Sequence, residues 1–520
     1  MKTTFLTALA ASFLALSCTE KASYDTFVIA QGGDSHGTER NSYYALYKAI
    51  GKGAQAASVT LRKDDRDSLV LDTADPDVPT LSEALDFCHG KLVLKIDNPS
   101  SFIDGIVGLN RPDDIILYNC EAKGSRNIVS VDLDSEGAEG FLDSAIRQKP
   151  YAVELLYSED ANPYLEKAIG KLKNKGIRIM FNTSSTGKCG SHTDKSKSWA
   201  ELIAKGGSVI ETGELKTLMG ALHPDERASS HGGNSRTSVD KSYDTALDSM
   251  TREIVPKFKA YLFRDRKSGL SLEYNLYVPE DYDPSKSYPL FMFIADGSTA
   301  GKGALYSLTQ GWGGLIFATA KEQKKHPCLV LVPAFPGPES AVDDSWNVSP
   351  TVELIPSLID TISRTYNVNR RKIYTSGQSM GGMISFYLSI THPDLFAASL
   401  HASSQWDTKV LAPMAGKKFF YIISAADPKA SPKMDELGKM LDSLGTPYSQ
   451  RQFSARLPLS EQDARVRDML REGNSINFVR FDPSTVMPQG KESSMAEHMY
   501  GFDHAFMIEA VRDWIMSQEL

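Results

Sequence analysis

A chain of 520 residues with 41% hydrophobic and 23% charged content is longer than one hydrophobic core ordinarily supports, so two globular domains are expected. The net charge of −8 is modest for this length, and no long basic run or basic stripe interleaved with aromatics occurs, which argues against nucleic acid as a partner.

Met1 to Ser17 carries one lysine, then an apolar stretch from Phe5 to Leu16, then small residues before Cys18. This is the build of an export signal over residues 1–18, too short for a spanning helix. Ala15-Leu16-Ser17-Cys18 resembles a bacterial lipoprotein box, which implies an exported protein held at the surface or in the periplasm through a lipid on Cys18; without the lipid it would be secreted. The other cysteines, Cys88, Cys120, Cys189 and Cys328, form no CxxC and have no histidine at zinc-ligand spacing, so they read as buried thiols, with a Cys88–Cys120 or Cys120–Cys189 disulfide as the alternative in an exported protein.

From residue 22 to 222, eight short β-branched runs alternate with helical stretches: 27–29, 58–61, 92–96, 115–118, 128–131, 152–155, 177–181 and 208–210. Eight strands spaced by amphipathic segments predict a (β/α) barrel. Residues 223–256 read as a linker, because 223–248 is rich in Ser, Asp, Arg and Gly and lacks an apolar face. A second domain is expected over 257–520. Paired strands at 260–264 and 272–278 are followed there by apolar runs at 290–294, 328–332, 373–376, 397–401 and 419–423, as in a doubly wound sheet of buried parallel strands.

In this second domain Gly377-Gln378-Ser379-Met380-Gly381 lies between a strand-like run and an apolar helix-like run, the setting of a nucleophile elbow. A second match, Gly33-Asp34-Ser35-His36-Gly37, precedes polar residues and is taken as coincidence. A serine hydroxyl needs a base and a carboxylate that orients the base. Asp427, in the loop after the run 419–424, is the expected acid. For the base, the stretch 503–517 reads as the last helix, with His504 in its first turn and His498 in the loop before it; the loop position favours His498, and His504 is the alternative.

Residues 258–518 resemble secreted carboxylesterase-like α/β-hydrolases, often labelled predicted peptidases, related to polyhydroxybutyrate depolymerases and feruloyl esterases. The resemblance rests on Tyr277-Val278-Pro279, Tyr288-Pro289-Leu290, Tyr306 to Gly311, His326-Pro327-Cys328, Tyr366-Asn367-Val368, Gly377 to Gly382, Gln405-Trp406-Asp407 and Trp514. It implies a serine carboxylesterase without cofactor or metal, with His498 as base at the family's spacing from Trp514. It also implies an oxyanion hole from the N–H groups of Met380 and of the loop Asp296-Gly297-Ser298, taken at Gly297. Gln378 and Trp406 are expected at the substrate pocket, although Trp406 reads equally as core. Esters of acyl or aryl acids, including glycan-linked ones, are the implied substrates; peptide hydrolysis by the same triad, or a ligand-binding lipoprotein with both domains inactive, are the alternatives.

The first domain is similar to glycerophosphodiester phosphodiesterases through Val28 to Gly33, Ala45 to Gly53, Pro79-Thr80-Leu81 and Gly207 to Leu222. In that family a His-Arg stands where this chain has Gln31-Gly32, and a Glu-x-Asp pair where it has Ser58-Val59-Thr60. The second histidine falls near Leu71 and a metal-binding glutamate on Lys95, which leaves Glu154 as a lone carboxylate. The expectation is a degenerate, non-catalytic barrel.

Overall fold

The computed structural model describes residues 26–222, 241, 243–337, 341–488 and 494–520; the export segment with Cys18 and most of the predicted linker lie outside the described residues. The chain forms two compact units. The first comprises Met1–Asp34, Ala49–Leu61 and Leu85–Pro224, and the second Ser35–Lys48, Arg62–Ala84 and Asp225–Leu520.

The first half contains strands β1 (Phe27–Gln31), β2 (Ala56–Val59), β3 (Leu61–Lys63), β4 (Leu69–Leu71), β5 (Val93–Ile96), β6 (Ile115–Tyr118), β7 (Arg126–Asp132), β8 (Ala152–Leu156), β9 (Arg178–Asn182) and β10 (Val209–Thr212). Eight of them close a parallel barrel in the order β1-β10-β9-β8-β7-β6-β5-β2, as expected, and β3 and β4 pair separately. Side chains alternate along a strand, so every second residue faces the barrel axis. Ile29, Ala56, Ile116, Ile128, Ala152, Met180 and Val209 form an apolar cluster, one residue from each of seven strands. Two positions further along, on the same side of each strand, stand Gln31, Ser58, Lys95, Tyr118, Ser130, Glu154, Asn182 and Glu211. The carboxyl end of the barrel, where folds of this kind place their chemistry, is therefore capped by a polar layer.

The second half builds one nine-stranded sheet from β11 (Lys259–Arg264), β12 (Ser271–Tyr277), β13 (Tyr288–Ile294), β14 (Leu329–Ala334), β15 (Val368–Gln378), β16 (Ala398–Ala402), β17 (Phe419–Ser424), β18 (Ser449–Phe453) and β19 (Ile476–Phe481). Its order is β11-β12-β14-β13-β15-β16-β17-β19-β18, antiparallel at β11-β12 and β12-β14 and parallel elsewhere. The central strand β13 is buried on both faces: Leu290, Met292 and Ile294 enter one apolar cluster, Phe291 and Phe293 the other. This doubly covered sheet explains the continuous apolar runs in the sequence.

Two local readings differ from expectation. Thr245–Ile254, inside the range read as linker, is a helix capped by Asp244, which accepts the Leu247 N–H at 2.9 Å, and it buries Leu247, Met250 and Ile254. The predicted final helix is two: Ser494–Met507 and Glu509–Ser517, separated by an extended Ile508 (ψ 114°). His498 therefore sits on a helix and not in a loop.

Candidate active site

Ser379 occupies the sharp corner between β15 and the helix Met380–Thr391, with φ 50° and ψ −118°. A non-glycine residue in this region stores about 1–3 kcal/mol of strain and persists only where its neighbours hold it. They do: the Ser379 N–H donates to the Ala402 carbonyl at 3.0 Å, and the Ser379 carbonyl accepts from Met383 at 3.0 Å. The flanking glycines are required by space. A Cβ on Gly381 would lie 1.9 Å from the Ile294 carbonyl oxygen, and one on Gly377 2.2 Å from the Gly381 carbonyl carbon.

Ser379, His498 and Asp427 come together although 119 residues separate the first two. His498 Nε2 lies 2.9 Å from Ser379 Oγ, and His498 Nδ1 lies 2.7 Å from Asp427 Oδ2. Asp427 is buried in the loop after β17, and its other oxygen accepts the N–H groups of Lys429 (2.9 Å) and Ala430 (3.0 Å). Burial pushes this carboxyl up, but the bond and charge of His498 and the two N–H donors outweigh it and hold the group below the usual aspartate range. An ionised Asp427 fixes a proton on Nδ1, which leaves the Nε2 lone pair for the serine hydroxyl.

The other expected residues divide. His504 Nε2 faces the Val486 carbonyl at 3.1 Å, and burial lowers its pKa, so it is a satisfied neutral histidine. Gln378, expected at the pocket, is fully buried and donates to Asp296 Oδ2 at 3.1 Å. It braces the loop Asp296-Gly297-Ser298, where Asp296 Oδ1 also accepts the Ser298 N–H at 2.8 Å, so it is corrected from pocket wall to support. Trp406 is 4% exposed and packs edge-on against Trp346 with ring centroids 5.5 Å apart, the core reading of this residue. Met380 opens the helix after Ser379, and Gly297 opens the short turn after β13. Ser35 of the second motif lies in a turn region, and the next helix begins only at Tyr43.

Sequence reasoning missed Glu497. This carboxylate is 1% exposed; one oxygen accepts the Ser424 hydroxyl and the other the Ser484 N–H, each at 2.5 Å. Its position next to a candidate base was visible in the sequence, but its partners come from β17 and from the loop after β19, which no local pattern connects.

In the barrel, Lys95 is buried among carboxylates: its Nζ lies 2.6 Å from Asp97 Oδ1, 2.8 Å from Glu211 Oε2 and 4.4 Å from the Tyr118 ring centre. Tyr118 donates to Glu154 at 2.6 Å. Glu154 is thus one of three acidic groups around an ammonium, which corrects its reading as a lone carboxylate. A divalent cation does not fit this layer, since it would have to share the carboxylates with the lysine ammonium. Among the described residues no group of three or more His, Cys, Asp or Glu is arranged to hold a metal. Among the described residues Cys88, Cys120, Cys189 and Cys328 form no disulfide with one another, and three of them are buried.

Burial pushes Glu154 up to about 7, against the pull of Lys95 and with help from Glu211. The native barrel therefore holds this proton more tightly than the unfolded chain. The resulting stabilisation is fully present below the ordinary value near 4.5 and is lost as pH rises through about 7. Urea unfolding followed across this window should show stability falling by up to about 3 kcal/mol, and Glu154→Gln should flatten the dependence.

Residues 269–471, within the second half of the chain, match the family described as "Putative esterase". Among solved structures, a thermostable esterase is similar at 19% identity over 52% of this chain and 64% of its own, with a TM-score of 0.41. The chain thus spans just under two thirds of that protein's length. The feruloyl esterase module of Clostridium thermocellum, solved as a mutant complexed with sinapinate, is 15% identical over 49% of this chain and 87% of its own (TM-score 0.34). For the barrel, a glycerophosphoryl diester phosphodiesterase from Parabacteroides distasonis is 15% identical over 38% of this chain and 86% of its own (TM-score 0.31). No curated protein matches the chain.

Proposed function

We propose that the protein is an exported serine esterase acting through Ser379, His498 and Asp427. The observation that carries this reading is the unbroken path from Ser379 Oγ to His498 Nε2 (2.9 Å) and from His498 Nδ1 to Asp427 (2.7 Å). Ser379 Oγ attacks the ester carbonyl while its proton passes to Nε2, and the imidazolium that forms is stabilised by Asp427. The N–H groups of Met380 and Gly297 receive the oxyanion. Collapse of the tetrahedral species breaks the C–O bond, and the alcohol leaves with the proton returned by His498. Water, deprotonated by the same imidazole, then releases the acid from the acyl-serine.

Small acyl or aryl esters, including acetyl or feruloyl groups on glycans, are the proposed substrates. The barrel, with Lys95 among its carboxylates, is proposed as non-catalytic, and a lipid on Cys18 as the membrane attachment. A fluorophosphonate probe applied to the full chain tests the reading. Labelling lost in Ser379→Ala, together with turnover of p-nitrophenyl, acetylated-glycan or feruloylated-glycan esters, is expected. Absence of labelling in folded protein would indicate a binding lipoprotein, and metal-dependent phosphodiester turnover that survives Ser379→Ala would return catalysis to the barrel.

A further inference from the structure

We infer that Glu497 is the positioning residue that holds the acid and the base of this site in one frame; the inference rests on the Ser379–His498–Asp427 reading. A carboxylate 1% exposed is costly to bury unless its oxygens are bonded. Both are, and both bonds lead back to the catalytic geometry. Ser424, which donates its hydroxyl to Glu497 at 2.5 Å, is the last residue of β17, and its carbonyl accepts the Asp427 N–H at 3.0 Å. Glu497 is covalently next to His498, whose Nδ1 meets Asp427 at 2.7 Å. The four residues close a ring: His498 to Asp427 by the catalytic hydrogen bond, Asp427 to Ser424 through the turn, Ser424 to Glu497 by the hydroxyl, and Glu497 to His498 by the chain.

The second oxygen ties the same helix turn to the Ser484 N–H at 2.5 Å, in the loop after β19. One carboxylate thereby fixes the His498-bearing turn against the ends of two neighbouring strands, β17 and β19, which pair in parallel. The side-chain length matters, because aspartate is one methylene short of both donors. The charge matters less: a glutamine can accept from the Ser484 N–H and donate its NH2 to Ser424 Oγ, which serves as acceptor as well as donor.

The test is steady-state kinetics of the full chain with a p-nitrophenyl ester, with melting curves as the folding control. Glu497→Ala is expected to lower kcat about 100-fold with KM little changed, the cost of a misplacement near 1 Å, and Glu497→Gln to recover most of that loss. In an Asp427→Asn background, Glu497→Ala should cost no more than about threefold, because the alignment it serves is already gone. If Glu497→Ala does not fold, Ser424→Ala removes one arm of the ring and should lower kcat about tenfold at constant KM.

Equal losses for alanine and glutamine, an undiminished loss in the Asp427→Asn background, or a wild-type kcat in folded Glu497→Ala would overturn the inference. These outcomes are separable from failure of the parent reading, in which Ser379→Ala would itself retain turnover.

Discussion

Replacing His498 by alanine is expected to lower kcat for an aryl ester by about 10⁴- to 10⁶-fold, with Ser379→Ala equally severe and the double variant no worse than either. The non-additivity follows from the geometry. The hydroxyl is a weak nucleophile until a base takes its proton, and the only described imidazole at 2.9 Å is His498. His504 cannot take over, because its ring is engaged with the Val486 carbonyl and its helix position turns it away from the elbow. His498 is mostly buried beside Phe502, with ring centroids 5.2 Å apart, and its removal leaves Oδ2 of the buried Asp427 without its partner, so a stability loss of about 1–3 kcal/mol is expected alongside the kinetic one. Kinetics alongside calorimetry would separate lost chemistry from lost fold. A loss of only a few-fold would mean that another group deprotonates Ser379.

Lys95→Met is expected to have the largest effect on stability, about 3–5 kcal/mol, because it leaves buried carboxylates without their counter-charge. Lys95 and Glu211 have side chains 4% and 2% exposed and stand 2.8 Å apart, so solvent screens neither. Burial opposes the charged lysine, but Glu211, Asp97 and Glu154 together raise its pKa and keep it an ammonium. In calorimetry the barrel transition should fall by roughly 10 °C. Adding Glu211→Gln to Lys95→Met should restore part of the loss, since one uncompensated charge is then removed. If Lys95→Met melts like wild type, the ion cluster does not hold the barrel mouth together.

How much of this was legible in the sequence depended on how local each signal was. The eight barrel strands and the central strands β13 to β17 were readable because burial on both faces leaves continuous β-branched and aromatic runs. The outer strands were not. Ser449-Gln450-Arg451-Gln452-Phe453 is a polar edge strand with two exposed glutamines, and β19 interrupts its apolar residues with Asn477 and Arg480. The elbow could be read because glycine spacing is a steric requirement of one corner. The helix carrying His498 could not, since Met499, Tyr500, Phe502, Ala505 and Phe506 are apolar without a single face and the segment is covered on several sides. Gln378 and Glu497 illustrate the harder case. Each has a role set by a partner more than 70 residues away, Asp296 and Ser424, and only the folded chain brings those partners within hydrogen-bond distance.

The most direct test of the central claim, that His498 activates Ser379 for attack on an ester, is mass spectrometry of protein quenched during turnover of p-nitrophenyl acetate. An acetyl group on the peptide containing Ser379, formed in the wild type and absent in His498→Ala, is the predicted result. Continued turnover with no acyl adduct, or with the adduct on another residue, would contradict it.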